Sequence, residues 1–141
     1  MDRVMELLNE LYAVQPECTT LSRPEYVALH LLLYHDEKVE HFVALYVDNK
    51  NHLMAQHIIS RGTVSETAVY PREIVRHALL EQASGIIIAH NHPGGDPKPS
   101  VQDQELTKKV VEACRVMDIR MLDHLIVSRG GHYSFQAQGL L

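Results

Sequence analysis

The chain has 141 residues, 45% of them apolar and 22% charged, the size and balance of one ordinary globular domain, so disordered and fibrous readings are excluded. Its formal charge of −5 and pI near 6.0 weigh against a strong nonspecific grip on nucleic acid, which needs clustered Lys and Arg to displace counterions. The two cysteines, Cys18 and Cys114, lack metal-ligand spacing and make no disulfide framework, which favours a reducing, cytoplasmic setting.

The opening segment has no basic region followed by a long apolar run, so it is not expected to be a secretory signal. No apolar stretch approaches the roughly 20 residues that a membrane helix requires. Val4, Met5, Leu7, Leu8 and Leu11 recur at helical spacing and predict a short amphipathic helix over 2–13. A loop around Pro16 follows. Ser22 as a cap and Pro24 in the first turn then predict a leucine-rich helix over 23–35.

His41–Val47 is a β-rich run that stops at the turn sequence Asp48–Asn51, and Leu53–Ser60 returns from it, so a β-hairpin is expected. Arg61–Tyr70 reads as a loop or an irregular strand edge. Pro71 opens a helix with Ile74, Val75, Ala78 and Leu79 on one face, expected to end at Gly85. Ile86–Ala89 is a continuous apolar run, suited to a strand covered on both faces. The Pro- and Gly-rich loop 90–100 leads to a helix with Leu106, Val110, Cys114 and Met117 on its inner stripe. Ile119–Val127 is a further strand, Gly130–Gly131 a turn, and Tyr133–Phe135 a closing strand. This order predicts a mixed α/β or α+β class, a sheet with helices packed on it.

The segment His90–Asp103 carries the chemistry. His90 and His92, at i and i+2 on extended chain leaving a buried strand, point the same way and can converge on one ion. Pro93 cannot donate to a ladder, so the strand stops there. Asp103 arrives in the first turn of the next helix, where the helix dipole also favours a carboxylate. Two imidazoles and one carboxylate form a three-ligand set that leaves a fourth position for water, the pattern of catalytic zinc. Ser100-x-x-Asp103 also reads as a capping box, and the cap and ligand roles are compatible.

His90-x-His92-Pro93, seven residues from His92 to Ser100 and two from Ser100 to Asp103, resembles the JAMM signature of the JAB/MPN metalloproteases. The wider pattern resembles the RadC-like branch of that superfamily. It is carried by Gly62-Thr63, Pro71-Arg72-Glu73, the stretch Ala89–Ser100, the stretch Leu122–Val127 and Tyr133–Phe135. The resemblance covers roughly residues 20–141, leaving 1–20 as an N-terminal helix and linker before a domain at 21–141. It implies a cytidine-deaminase-like JAB/MPN sheet flanked by helices, and one zinc held by His90, His92 and Asp103. An upstream glutamate would act as general acid/base, and Ser100 would stabilise an oxyanion. The implied reaction is hydrolysis of a peptide or isopeptide bond; a DNA-repair-associated accessory domain without peptidase activity is the alternative. RadC-like proteins usually carry a helix-hairpin-helix module before this domain. The present chain has room for one short helix there, so a stand-alone catalytic domain is expected, with no membrane partner and no tight nucleic-acid ligand.

The glutamates on offer are Glu37, Glu40, Glu66 and Glu73. Glu40 is preferred, because Glu-x-Phe at a strand start matches the family pattern, whereas Glu73 sits in a first helical turn with a plain dipole role. Asp123-His124 matches another family feature. It reads either as a strand pair tied by hydrogen bonds or as a pair behind the site or facing substrate. The substrate and the oligomeric state are not legible.

Overall fold

The computed structural model describes residues 39–62, 69–93 and 95–141, so the helices expected over 2–13 and 23–35 lie outside the described residues, as do Glu37 and Glu66. Strand β1 (Glu40–Val47) and strand β2 (Leu53–Gly62) form the expected hairpin. Its turn is held by Asp48, whose Oδ1 accepts the N–H groups of Lys50 at 2.8 Å and His52 at 2.9 Å, and Asn51 adopts φ 63°. Side-chain acceptors of this kind are why Asp and Asn populate turns.

Helix α1 (Pro71–Glu81) follows, then strand β3 (Gly85–Asn91), helix α2 (Val101–Val116), strand β4 (Arg120–Ser128) and strand β5 (Gly131–Ser134). The sheet order is β2-β1-β3-β4-β5. Among the described residues only the β3–β4 pair is parallel, and α2 is the crossover that a parallel pair requires. The class is therefore mixed α/β, as expected.

Alternate residues divide the sheet between two cores. Phe42, Ala44 and Tyr46 of β1 and Ile86 and Ile88 of β3 pack with Ile74, Val75 and Ala78 of α1 and Val110 and Cys114 of α2. Both helices thus cover one face. The opposite face buries Val43, Leu45, Val47, Ile87, Ala89, Leu125 and Val127. Burial on both faces is why β3 reads as an unbroken apolar run. The Tyr46 hydroxyl donates to the carbonyl of Ile74 at 2.7 Å, tying β1 to α1 through a fully buried ring.

Three expectations need correction. Helix α1 ends at Glu81, with Gln82 in the left-handed region at φ 56°, and not at Gly85. Gly85 instead opens β3, where a Cβ would stand 2.9 Å from Val47 Cγ2, space that the buried Val47 side chain already fills. Leu79 is 51% exposed, past the edge of the stripe that Ile74, Val75 and Ala78 bury. Met117 is 44% exposed because it is the C-cap of α2, and the buried stripe runs through Thr107, Val110 and Cys114.

Candidate metal centre

The site forms where β1 begins and β3 ends. In the antiparallel β1–β3 register Phe42 pairs with His90, so Glu40, at the start of β1, lies beside the chain just past His90. Beyond that pair the backbone of β3 turns to β4, with the His92 N–H donating to the Val127 carbonyl at 2.9 Å. The Asn91 side chain, fully buried, fills the gap this leaves. Its Oδ1 accepts the His41 N–H at 2.6 Å and its Nδ2 donates to the Val39 carbonyl at 3.0 Å. Those are the two residues flanking Glu40, so Asn91 continues the ladder with a side-chain amide and fixes where Glu40 hangs.

Ser100 and Asp103 come from the start of α2. The Ser100 Oγ accepts the Asp103 N–H at 3.0 Å, and the Ser100 N–H donates to Asp103 Oδ2 at 2.8 Å, a complete capping box. The Asp103 carboxylate faces the histidines: Oδ1 is 3.3 Å from His90 Nε2 and Oδ2 is 3.2 Å from His92 Nε2. The two Nε2 atoms are 2.9 Å apart, and Glu40 Oε1 is 3.9 Å from His90 Nε2. Ser100 is exposed; its hydroxyl and N–H bond with Asp103, and its carbonyl accepts the Gln104 N–H at 3.1 Å.

These distances bring four groups from three elements to one point. Side-chain exposure is 0% at His90, 13% at Glu40, 15% at Asp103 and 21% at His92, so the cluster opens to solvent mainly on the His92 side. Glu40, His90 and His92 lie close enough together to hold a metal ion. The donor chemistry fits one. His92 Nδ1 faces the Asp96 carbonyl at 3.0 Å, an obligatory acceptor, so in the neutral ring Nδ1 carries the proton and Nε2 presents its lone pair to the cluster. A lone pair beside carboxylate oxygens is repelled unless a cation or a proton lies between them.

The charges respond accordingly. Burial works to raise the Asp103 carboxyl, but its hydrogen bonds with His90 and His92 overcome this and hold it well below the usual carboxylate range. Burial likewise works to lower His92, yet the bonds to Asp103 and the Asp96 carbonyl raise it above the ordinary histidine value. Glu40 is raised, chiefly by burial, against the opposing pull of His90 and His92. A carboxylate raised toward neutrality is better matched to accepting and returning a proton.

Among the other candidates, Glu73 points outward and pairs with Arg76 at 3.1 Å. Asp123 ties the sheet edge together, accepting the Ser134 hydroxyl at 2.6 Å and the Gln136 N–H at 3.0 Å. Its neighbour His124 is fully buried, with Nε2 2.9 Å from His90 Nδ1. Asn91 and Thr107 are contributors that the sequence reading missed. The only available signal for Asn91 was its position between the two histidines.

The RadC-like JAB domain family matches residues 21–140. A UPF0758 protein of Haemophilus influenzae is 46% identical over 123 residues, covering 86% of this chain and 55% of the relative. One from Verminephrobacter eiseniae is 41% identical over 140 residues, 98% of this chain and 59% of the relative. A third, from Neisseria meningitidis, is 45% identical over 126 residues, 89% of this chain and 56% of the relative. The chain thus spans a little over half the length of these curated relatives.

Proposed function

Since the chain belongs to the RadC-like JAB domain family, we propose that it is a zinc-dependent hydrolase of the JAMM type, cleaving a peptide or isopeptide amide bond. The observation that carries this reading is the convergence of His90 Nε2, His92 Nε2 and both Asp103 oxygens, with Glu40 Oε1 at 3.9 Å from His90 Nε2. His90, His92 and Asp103 would hold one zinc per chain. Bound zinc lowers the pKa of water from 15.7 to about 7, which supplies a nucleophile at neutral pH.

The residues divide the remaining work. Glu40, raised by burial and held by Asn91, takes a proton from the attacking water and hands it to the leaving amine. Ser100 places a hydroxyl beside Asp103, where it caps α2 and donates to the developing oxyanion during turnover. The substrate is a protein or peptide. The domain works in the reducing cytoplasm, in keeping with the buried free thiol of Cys114, whose pKa burial pushes up to about 11. Among the described residues no helix is long and apolar enough to cross a membrane.

Elemental analysis tests the reading. Wild-type protein is expected to carry about one zinc per chain, and His92→Ala to lose it, because two protein ligands hold zinc poorly. Full zinc retention in that variant would refute the ligand set. Glu40 also lies within reach of a shared ion with His90 and His92, so Glu40→Gln separates the two roles open to it. A base leaves zinc in place when substituted, whereas a ligand does not.

A further inference from the structure

We propose that His124 and Thr107 are positioning residues that fix the tautomer and the aim of His90 through a one-way hydrogen-bond circuit closing on Asp103; this rests on the metal reading above. Thr107, on α2, is the first member of the circuit. Its hydroxyl has one proton, which goes to the Asp103 carbonyl one helical turn back, at 2.8 Å. The same oxygen is 2.5 Å from His124 Nδ1 and, with its proton already used, can only accept there. His124 must therefore carry a proton on Nδ1.

His124 is fully buried with the rings of Phe42 and Phe135 against it, an apolar setting in which an imidazole stays neutral. A neutral ring has a single N–H, so Nε2 holds a lone pair. That lone pair faces His90 Nδ1 at 2.9 Å, and His90 must be the donor. The proton of His90 is thereby committed to Nδ1, and its Nε2 lone pair is presented toward Asp103 and His92. Each step removes one alternative, so three side chains settle one tautomer.

The rings are also held in place. Phe135 stacks on His124 with centroids 4.6 Å apart and planes at 13°, and Phe42 stacks on His90 at 5.4 Å and 13°. The circuit starts from the backbone of Asp103 and ends on the ring whose other nitrogen is 3.3 Å from the Asp103 carboxylate. Two ligands from different elements are thus coupled through groups that touch no metal. Partners of this kind raise ligand basicity, and their loss typically weakens metal affinity by about 10–100-fold.

The test is affinity for Zn²⁺ and Co²⁺ by chelator competition, with the visible Co²⁺ spectrum as a report on ligand geometry. His124→Leu removes the acceptor and is expected to weaken both metals by about 10–100-fold and to alter the Co²⁺ spectrum. Thr107→Val keeps the shape but loses the hydroxyl, so a smaller loss in the same direction is expected. His124→Gln keeps an acceptor for His90 and a donor for Thr107, and should recover most of the wild-type affinity. That rescue would not follow from a packing role. Should His124→Leu fail to fold, Thr107→Val and His124→Gln decide. Folded variants that bind both metals as tightly as wild type, with an unchanged Co²⁺ spectrum, would overturn the positioning role and leave the metal reading standing. Folded wild type that takes up neither metal would overturn the metal reading, and this inference with it.

Discussion

Helices α1 and α2 each place an acidic residue at the third helical position, and the two carboxylates have opposite fates. At α1 the N-cap Tyr70 makes no side-chain cap bond, Pro71 supplies the start, and Glu73 turns outward to Arg76 with 41% of its side chain exposed. At α2, Ser100 completes a capping box and Asp103 turns inward onto two histidines at 15% exposure. The helix dipole favours an acid at both places, so an acid in a first turn says nothing by itself about chemistry. The connection that delivers the helix makes the difference. The loop before α2 leaves β3 at the sheet end where His90 sits, and brings the helix start back over that residue.

The sharpest way to break this contrast is to remove each acid in turn. Asp103→Ala should reduce bound zinc from about one per chain to near none, while Glu73→Ala should leave it unchanged. Equal zinc in the two variants, by elemental analysis, would end the distinction. The same site predicts a pH dependence. Metal must displace the proton that Asp103 helps to keep on His92, whose pKa is raised, so zinc affinity should fall as pH drops through that value. Titration of zinc uptake in buffered steps measures it. A flat profile between neutral and mildly acidic pH would contradict the geometry.

Glu40→Gln comes next. It keeps the size but cannot take a proton, so zinc should stay and hydrolysis of any peptide or isopeptide found to be cleaved should be abolished. Zinc loss would make Glu40 a ligand instead. A smaller effect is expected at the cap. Ser100→Ala should cost about 0.5–2 kcal/mol in urea unfolding and weaken turnover, yet keep zinc. Glu73→Gln, which loosens only an exposed pair, should cost no more than about 1 kcal/mol. The smallest signal is expected from duplex DNA. With a charge of −5, any binding should be weak and vanish as salt rises, and tight binding at high salt would favour the accessory-domain alternative.

The hairpin was legible because a β-rich run and its return flank the turn sequence Asp48–Asn51, and β3 because an unbroken apolar run is the direct image of two-sided burial. The end of α1 was misread because Gln82 adopts the left-handed conformation usually left to glycine, and Gly85 looked like the stop. In the site, the spacing of His90, His92, Ser100 and Asp103 marked out the cluster. Glu40 was chosen by resemblance, and the fold brings it to 3.9 Å from His90 Nε2, whereas Glu73 stays on the surface. Asn91 and Thr107 were illegible for a different reason. Each acts on backbone groups or on a ring remote in sequence, Asn91 through bonds that the β1–β3 register creates and Thr107 through the packing of α2 against β4.

The turn at Gly130 has a consequence for motion. The Gly95 carbonyl, in the loop between His92 and Ser100, accepts the Gly130 N–H at 3.2 Å and the Ser128 hydroxyl at 3.1 Å. A Cβ on Gly130 would stand 2.5 Å from that carbonyl oxygen, a clash with backbone that no side chain can yield to. The ligand-bearing loop and the β4–β5 turn are therefore clipped into one mechanical unit. Opening of the loop must break both bonds to the Gly95 carbonyl and leave the Gly130 N–H to its other acceptor, the Ser128 hydroxyl at 3.2 Å, so hydrogen exchange at Gly130 is expected to quicken, though not to run free, when the loop lifts.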